Sequence, residues 1–179
     1  MKEIRITDKT QNITHIRDLY ETAFPENERR DLEDLIDESS EGMEFYAFYE
    51  EDVFTGILSL LTYKDITHIM YLAICEQHRG KGYGSEVLRW LKQFKKGQRI
   101  IADLERITPT AANNSQRARR NEFYIKNEFR PSGVCYSWRN EDYELYVNGG
   151  ELFEHDYKNF WKHFSSKKEQ EKNENKDKD

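Results

Sequence analysis

The segment Arg79-Gly80-Lys81-Gly82-Tyr83-Gly84 sets three glycines at alternate positions between an apolar run and an amphipathic one. Glycine accepts the left-handed backbone of a tight turn and leaves no side chain between its amides and a bound anion. Ser85-Glu86-Val87-Leu88-Arg89-Trp90-Leu91 then opens a helix whose N-terminus carries partial positive charge. Loop, helix end and the flanking Arg79 and Lys81 together suit a diphosphate. Two other phosphate loops fit less well. A Walker A loop puts a lysine and then a hydroxyl residue after its last glycine, whereas Ser85 follows Gly84 directly. The dinucleotide fingerprint needs glycine at the position that Ser85 occupies. The plain alternative is a strand-to-helix turn whose glycines serve conformation alone.

The flanking residues predict how the loop is held. Ile69-Met70-Tyr71-Leu72-Ala73-Ile74 is nearly all apolar, as in a strand covered on both faces. Tyr83, Val87, Leu91 and Phe94 recur at spacings of three and four and form one helical stripe. Ile100-Ile101-Ala102-Asp103-Leu104-Glu105 reads as the next strand, with a carboxylate at its end. Strand, loop, helix and strand make a crossover unit, and open sheets bind ligands at the carboxyl edge of such a unit.

Ala73 to Ser85 resembles the central motif of the GCN5-related N-acetyltransferase superfamily, Arg/Gln-x-x-Gly-x-Gly/Ala, here Arg79-x-x-Gly82-x-Gly84. Phe123-Tyr124-Ile125-Lys126-Asn127-Glu128-Phe129 is similar to that family's Phe-Tyr-x-x-x-Gly-Phe. The resemblance spans residues 2–148 and implies binding of acetyl-coenzyme A (acetyl-CoA). It places the diphosphate on the amides of Arg79, Gly80, Lys81, Gly82, Tyr83, Gly84 and Ser85. The pantetheine arm pairs with the backbone of Leu72, Ala73 and Ile74, in a strand that splays from its neighbour. A backbone amide stabilises the oxyanion, and an amine attacks the thioester directly in a ternary complex.

An alkylammonium must lose a proton before it attacks. Glu105 is the candidate base, directly or through water, with Asp103 on the same strand face in reserve. The alternative for Glu105 is an exposed strand-end carboxylate. The resemblance assigns Tyr124 as the acid that meets the leaving thiolate; the alternative is packing against Phe123. Departures from the family pattern are also visible. Arg117-x-x-Arg120 stands where Asn-x-x-Ala is usual, Glu128 replaces a glycine, and Glu76 replaces a common proline. Arg117 and Arg120 offer charge to a phosphate or an acidic acceptor, or belong to a solvated helix face.

The resemblance locates the acceptor pocket in the loop Phe24 to Arg30 and the last hairpin. There Glu26 and Glu28 supply charge for an amine, while Tyr136 and Trp138 supply a wall. A solvated loop with helix-capping acids is the alternative. The expected activity is acetyl transfer to a small-molecule amine. Protein lysines or N-termini, a non-catalytic acyl-CoA-binding module and a purely structural protein stay open.

The 179 residues suit one domain, with 13% aromatic residues to build a core despite 35% charged. The expected fold is α/β: a mixed, mostly antiparallel seven-stranded sheet flanked by helices, the acyl-CoA N-acyltransferase fold, with an added C-terminal helix. Residues 1–148 are expected to form the acetyltransferase domain. Residues 149–165 carry Leu152, Phe153, Tyr157, Phe160, Trp161 and Phe164 at helical spacing, docking on the domain or on a second subunit, so a homodimer stays open. Residues 166–179 have no apolar side chain and read as a charged, disordered tail or a fraying helix end. The two cysteines, Cys75 and Cys135, and five scattered histidines predict neither a disulfide framework nor a metal site. No export signal or membrane-length run is present, so a cytoplasmic location is expected. The net charge of −6 argues against nucleic acid as a partner.

Overall fold

The computed structural model describes the backbone of residues 1–109 and 111–176, and the side chains of those up to residue 165. Among the described residues the order is β1 (Lys2–Arg5), α1 (Thr14–Ala23), α2 (Leu32–Ile36), β2 (Met43–Glu50), β3 (Val53–Tyr63), β4 (Ile66–Ile74) and α3 (Tyr83–Phe94), then β5 (Arg99–Glu105), α4 (Asn114–Lys126), β6 (Arg130–Trp138), β7 (Glu141–Asn148) and α5 (Glu154–Lys176). Helix α1 ends at Ala23, because Phe24 precedes Pro25 and is driven to an extended backbone, φ −125° and ψ 135°. The β2–β3 hairpin turns on Glu51 and Asp52, both with positive φ, which matches the twist of the strands they join. Arg139 and Asn140 do the same between β6 and β7. That turn is two residues long, since β6 ends at Trp138 and β7 begins at Glu141.

The strands form one seven-stranded sheet in the order β1-β2-β3-β4-β5-β7-β6. All neighbours are antiparallel except β4 and β5. Ile16 of α1, Leu35 of α2 and Phe160 of α5 pack on one face. Val87, Leu88 and Leu91 of α3 and Tyr124 of α4 pack on the other.

The parallel pair is short. Ile66 to Ile69 pair with Arg99 to Ala102, and the ladder stops there although β4 continues to Ile74 and β5 to Glu105. On its other side β4 pairs Ile69 with Leu60 and Tyr71 with Ser59, so Met70 is an extra residue. Such a bulge bends its strand and sharpens its twist. Bulge and lost pairing coincide, and beyond Ile69 the strands part. This is the splay that the family resemblance implies.

Helix α5 belongs to the core of its face, with Phe160 fully buried and Leu152 nearly so. His163 stacks on Tyr63 at 3.9 Å, and Arg99 of β5 binds Asp156 at 2.7 Å. Residues 166–179 are expected to be a disordered tail or a fraying helix end, and the backbone of α5 continues as helix to Lys176. Lys, Glu and Gln are good helix formers, and the packed turns before them supply the nucleus. Residues 177–179 of that expected tail lie outside the described residues. No described helix is long and apolar enough to cross a membrane.

Candidate functional site

The glycine loop has two kinds of glycine. Gly80 and Gly82 take φ of 75° and 92°, a backbone that other residues rarely adopt, and a Cβ on either would meet nothing within 4 Å. Gly84 is helical and is needed for a different reason: a Cβ there would lie 3.1 Å from the Phe123 ring. Helix α3 makes its first backbone bond from Glu86 N–H to the Gly82 carbonyl at 3.1 Å. The amides of Tyr83, Gly84 and Ser85 come before it and belong to the unpaired first turn. Arg79 Nε donates to the Ile74 carbonyl at 3.1 Å and ties the loop to the end of β4. The Asn127 amide donates to Ser85 Oγ at 3.1 Å and to the Phe123 carbonyl at 2.8 Å, which joins the start of α3 to the end of α4. A cradle of amides with open space over Gly80 and Gly82 fits a diphosphate.

A cavity of about 1100 Å³ runs from this loop through the gap between β4 and β5. Leu72, Ala73, Ile74, Arg79 and Tyr124 line it on the loop side. Tyr124 is 6% exposed, with its ring edge-on to Phe123 and Phe129. Burial pushes its phenol above the ordinary range, with the nearby Arg120 working the other way and Asp103 adding to the rise. Tyr124 therefore holds its proton at neutral pH and can only donate.

Asp103 enters from the opposite face of the sheet. Ile100, Ala102 and Leu104 face α3 and α4, so by the period of two Asp103 and Glu105 face α1, α2 and α5. The parting of the strands brings Asp103 and Tyr124 into one cavity. Asp103 Oδ2 lies 2.6 Å from His68 Nε2, and its Oδ1 is buried without a well-formed hydrogen bond, with the Tyr136 and Tyr157 phenols beside the carboxylate. His68 is 1% exposed and its Nδ1 is likewise unpartnered. Tyr136 stacks on Tyr143 at 5.2 Å and sits 5.4 Å from Tyr157 of α5. Burial first, and then the charge of Asp103, raise both the Tyr136 and the Tyr157 phenols. Burial pushes Tyr143 up to about 12, with Glu28 the largest charge contribution.

Glu105 is already engaged. Its carboxylate is ion-paired with Arg120 and lies 3.6 Å from Arg117. Arg117 is buried and also binds Glu141 at 2.9 Å and the Arg106 carbonyl at 2.7 Å, so it clamps β5, α4 and β7 together. Glu28 lines the cavity, and burial, followed by the charge of Glu105, raises its carboxyl. Its loop is pinned by tyrosines: Tyr71 donates to the Glu28 carbonyl at 3.0 Å and Tyr20 to the Arg30 carbonyl at 2.9 Å. Glu26 is exposed and stands outside the cavity wall. Trp138 lines it but is 42% exposed, with Arg139 over its ring at 4.3 Å.

The sequence reading missed His68, Tyr157 and Trp161, all of which line the cavity. A lone histidine within an apolar strand, and two aromatics four apart on the α5 stripe, were the signals on offer. Among the described residues no group of three or more His, Cys, Asp or Glu is placed to hold a metal ion.

Many solved structures share this fold, three of them as follows. A GNAT-family protein from Bacteroides thetaiotaomicron is 22% identical, over 89% of this chain and 93% of that one, with a TM-score of 0.73. An aminoglycoside 6'-N-acetyltransferase complexed with coenzyme A is 13% identical over 83% of this chain and 96% of its own, with a TM-score of 0.65. Arabidopsis thaliana Naa50, in complex with a bisubstrate analogue, is 18% identical over 83% and 99%, with a TM-score of 0.56. At these identities the likeness is one of fold. No curated protein matches the sequence. The pattern of the acetyltransferase (GNAT) family matches residues 13–124, from the approach to α1 through Tyr124. The chain belongs to the acetyltransferase (GNAT) family.

Proposed function

We propose that this protein is an N-acetyltransferase that moves the acetyl group of acetyl-CoA to the primary amine of a small molecule within a ternary complex. One observation carries the reading: β4 and β5 lose their pairing after Ile69 and Ala102, beside a glycine loop with open amides. A parted pair of strands offers backbone N–H and C=O groups to an extended, amide-bearing arm. The loop beside it offers N–H groups to a diphosphate. Two of the similar structures were solved with coenzyme A or an analogue containing it, which supports the same co-substrate here.

In this reading Leu72, Ala73 and Ile74 pair with the pantetheine arm, and Arg79 to Ser85 hold the diphosphate. Asp103 takes one proton from the acceptor ammonium, a role the sequence suggests first for Glu105. Glu105 is the weaker choice because two guanidiniums already claim its oxygens, whereas Asp103 keeps one oxygen without a well-formed hydrogen bond. The amine lone pair forms the C–N bond as the C–S bond breaks, and sulfur leaves with the electron pair. Tyr124 gives its proton to sulfur and is reprotonated by the second proton of the amine. Products are an amide, a thiol and one proton released from Asp103 to water.

Acetyl-CoA offered with a panel of small amines tests this by release of free thiol. Amine-dependent release is expected. Binding of acetyl-CoA without release on any amine would leave only an acyl-CoA-binding module.

A further inference from the structure

We propose that the acceptor is an arylalkylamine, its nitrogen received by Asp103 and its ring seated against Tyr157 and Trp161 of α5. This rests on the acetyl-transfer reading above and names the substrate class of the same site.

The acceptor end of the cavity is walled by rings from separate elements: Phe24 after α1, Tyr71 of β4, Tyr136 of β6, and Tyr157 and Trp161 of α5. Seated among them is an acid–imidazole pair, the part-buried Asp103 and the buried His68. The imidazole is hemmed in by Tyr157, Phe160 and Trp161, with ring centroids 6.3, 5.9 and 5.7 Å away. His68 is thus a positioning residue that fixes one oxygen of Asp103 and leaves Oδ1, beside the Tyr136 and Tyr157 phenols, without a well-formed hydrogen bond. A buried oxygen in that state is costly, and an ammonium N–H supplies the missing donor. The surrounding ring faces add attraction for the same cation.

The rest of the acceptor must suit those rings. Hydroxyls placed against the faces of these rings would lose their water there, while the polar groups of the wall, Glu28 and Lys158 among them, stand apart from the ring cluster. An aromatic ring loses nothing there and gains stacking contacts. Of the cations near α5, Lys158 pairs with Glu154 at 2.6 Å, and Arg30 lies over Trp161 at 5.9 Å. Helix α5 thereby sets acceptor choice from outside the loop and strands that hold the co-substrate.

Calorimetric titration of protein saturated with coenzyme A, using 2-phenylethylamine, hexylamine and an amino sugar, tests the class. The ring-bearing amine is expected to bind about tenfold or more tightly than either of the others. Tyr157→Leu should abolish that preference while coenzyme A affinity stays unchanged. If Tyr157→Leu does not fold, Tyr136→Leu replaces it from a separate element. His68→Gln should lower kcat with 2-phenylethylamine more than it raises KM, which loss of packing alone would not do. Equal binding of the three amines, or preference for the amino sugar, overturns the arylalkylamine class. Acetyl transfer survives that result if coenzyme A still binds, whereas failure of coenzyme A to bind the unaltered protein defeats the reading beneath it.

Discussion

Tyr124 and Asp103 reach the same cavity from opposite faces of the sheet, and their surroundings suit them to two different proton transfers, one giving and one taking. A buried phenol whose pKa is raised remains a donor, and a carboxylate with a spare oxygen remains an acceptor. Tyr124→Phe should keep acetyl-CoA affinity and slow turnover about a hundredfold, measured as thiol release at saturating co-substrate. Normal turnover would assign the proton to water or another group. Glu28 makes a prediction about stability. Burial, then the charge of Glu105, raises its carboxyl above the ordinary carboxylate range in the folded protein. As pH rises past that range the unfolded chain ionises first while the folded one keeps its proton, so stability falls across this window and stays lower above it. Glu28→Gln removes the penalty and should raise Tm by about 1–3 °C near pH 7.5, with no gain near pH 3.5 where both states are protonated. A gain that is equal at both pH values would mean the charge of Glu28 is not its cause.

Helix α5 is where an element does more than its sequence suggests. Its apolar stripe reads as ordinary packing, and Phe160 does pack, fully buried against the sheet. Phe160→Ala should therefore cost about 3–5 kcal/mol in denaturant unfolding, the price of a core phenylalanine. A cost near zero would make α5 an appendage. The same helix turns Tyr157 and Trp161 into the cavity, and nothing in a 3.6 period separates a residue that fills a core from one that lines its opening. The strands, the glycine helix and the turns were legible because each is written in local pattern, as at Pro25 and Glu51-Asp52. The bulge at Met70 was not, because an extra residue shows only against its partner strand. Nor was the pairing of Glu105 with Arg117 and Arg120, which joins a strand to a helix far along the chain. Glu128 sits in the left-handed position that glycine usually takes, φ 68°, with its carboxylate ion-paired to Lys92. That is how the turn reverses without the expected glycine.

For the whole molecule, the sheet acts as a partition with one opening. Helices α3 and α4 bring the loop and Tyr124 to one face, while α1, α2 and α5 bring aromatic walls and Asp103 to the other. Among the described strands the only parallel junction is where the two sides meet, because β4 bulges and stops pairing with β5 there. A co-substrate threaded through that opening would present its acyl group to the aromatic side while its phosphates stay on the loop. A crystal structure with acetyl-CoA bound is the most direct measurement of this arrangement. The account predicts diphosphate oxygens about 3 Å from the amides of residues 80–85 and the pantetheine arm alongside Leu72 to Ile74. Phosphates bound elsewhere, with the loop and the gap beside β4 empty, would contradict it.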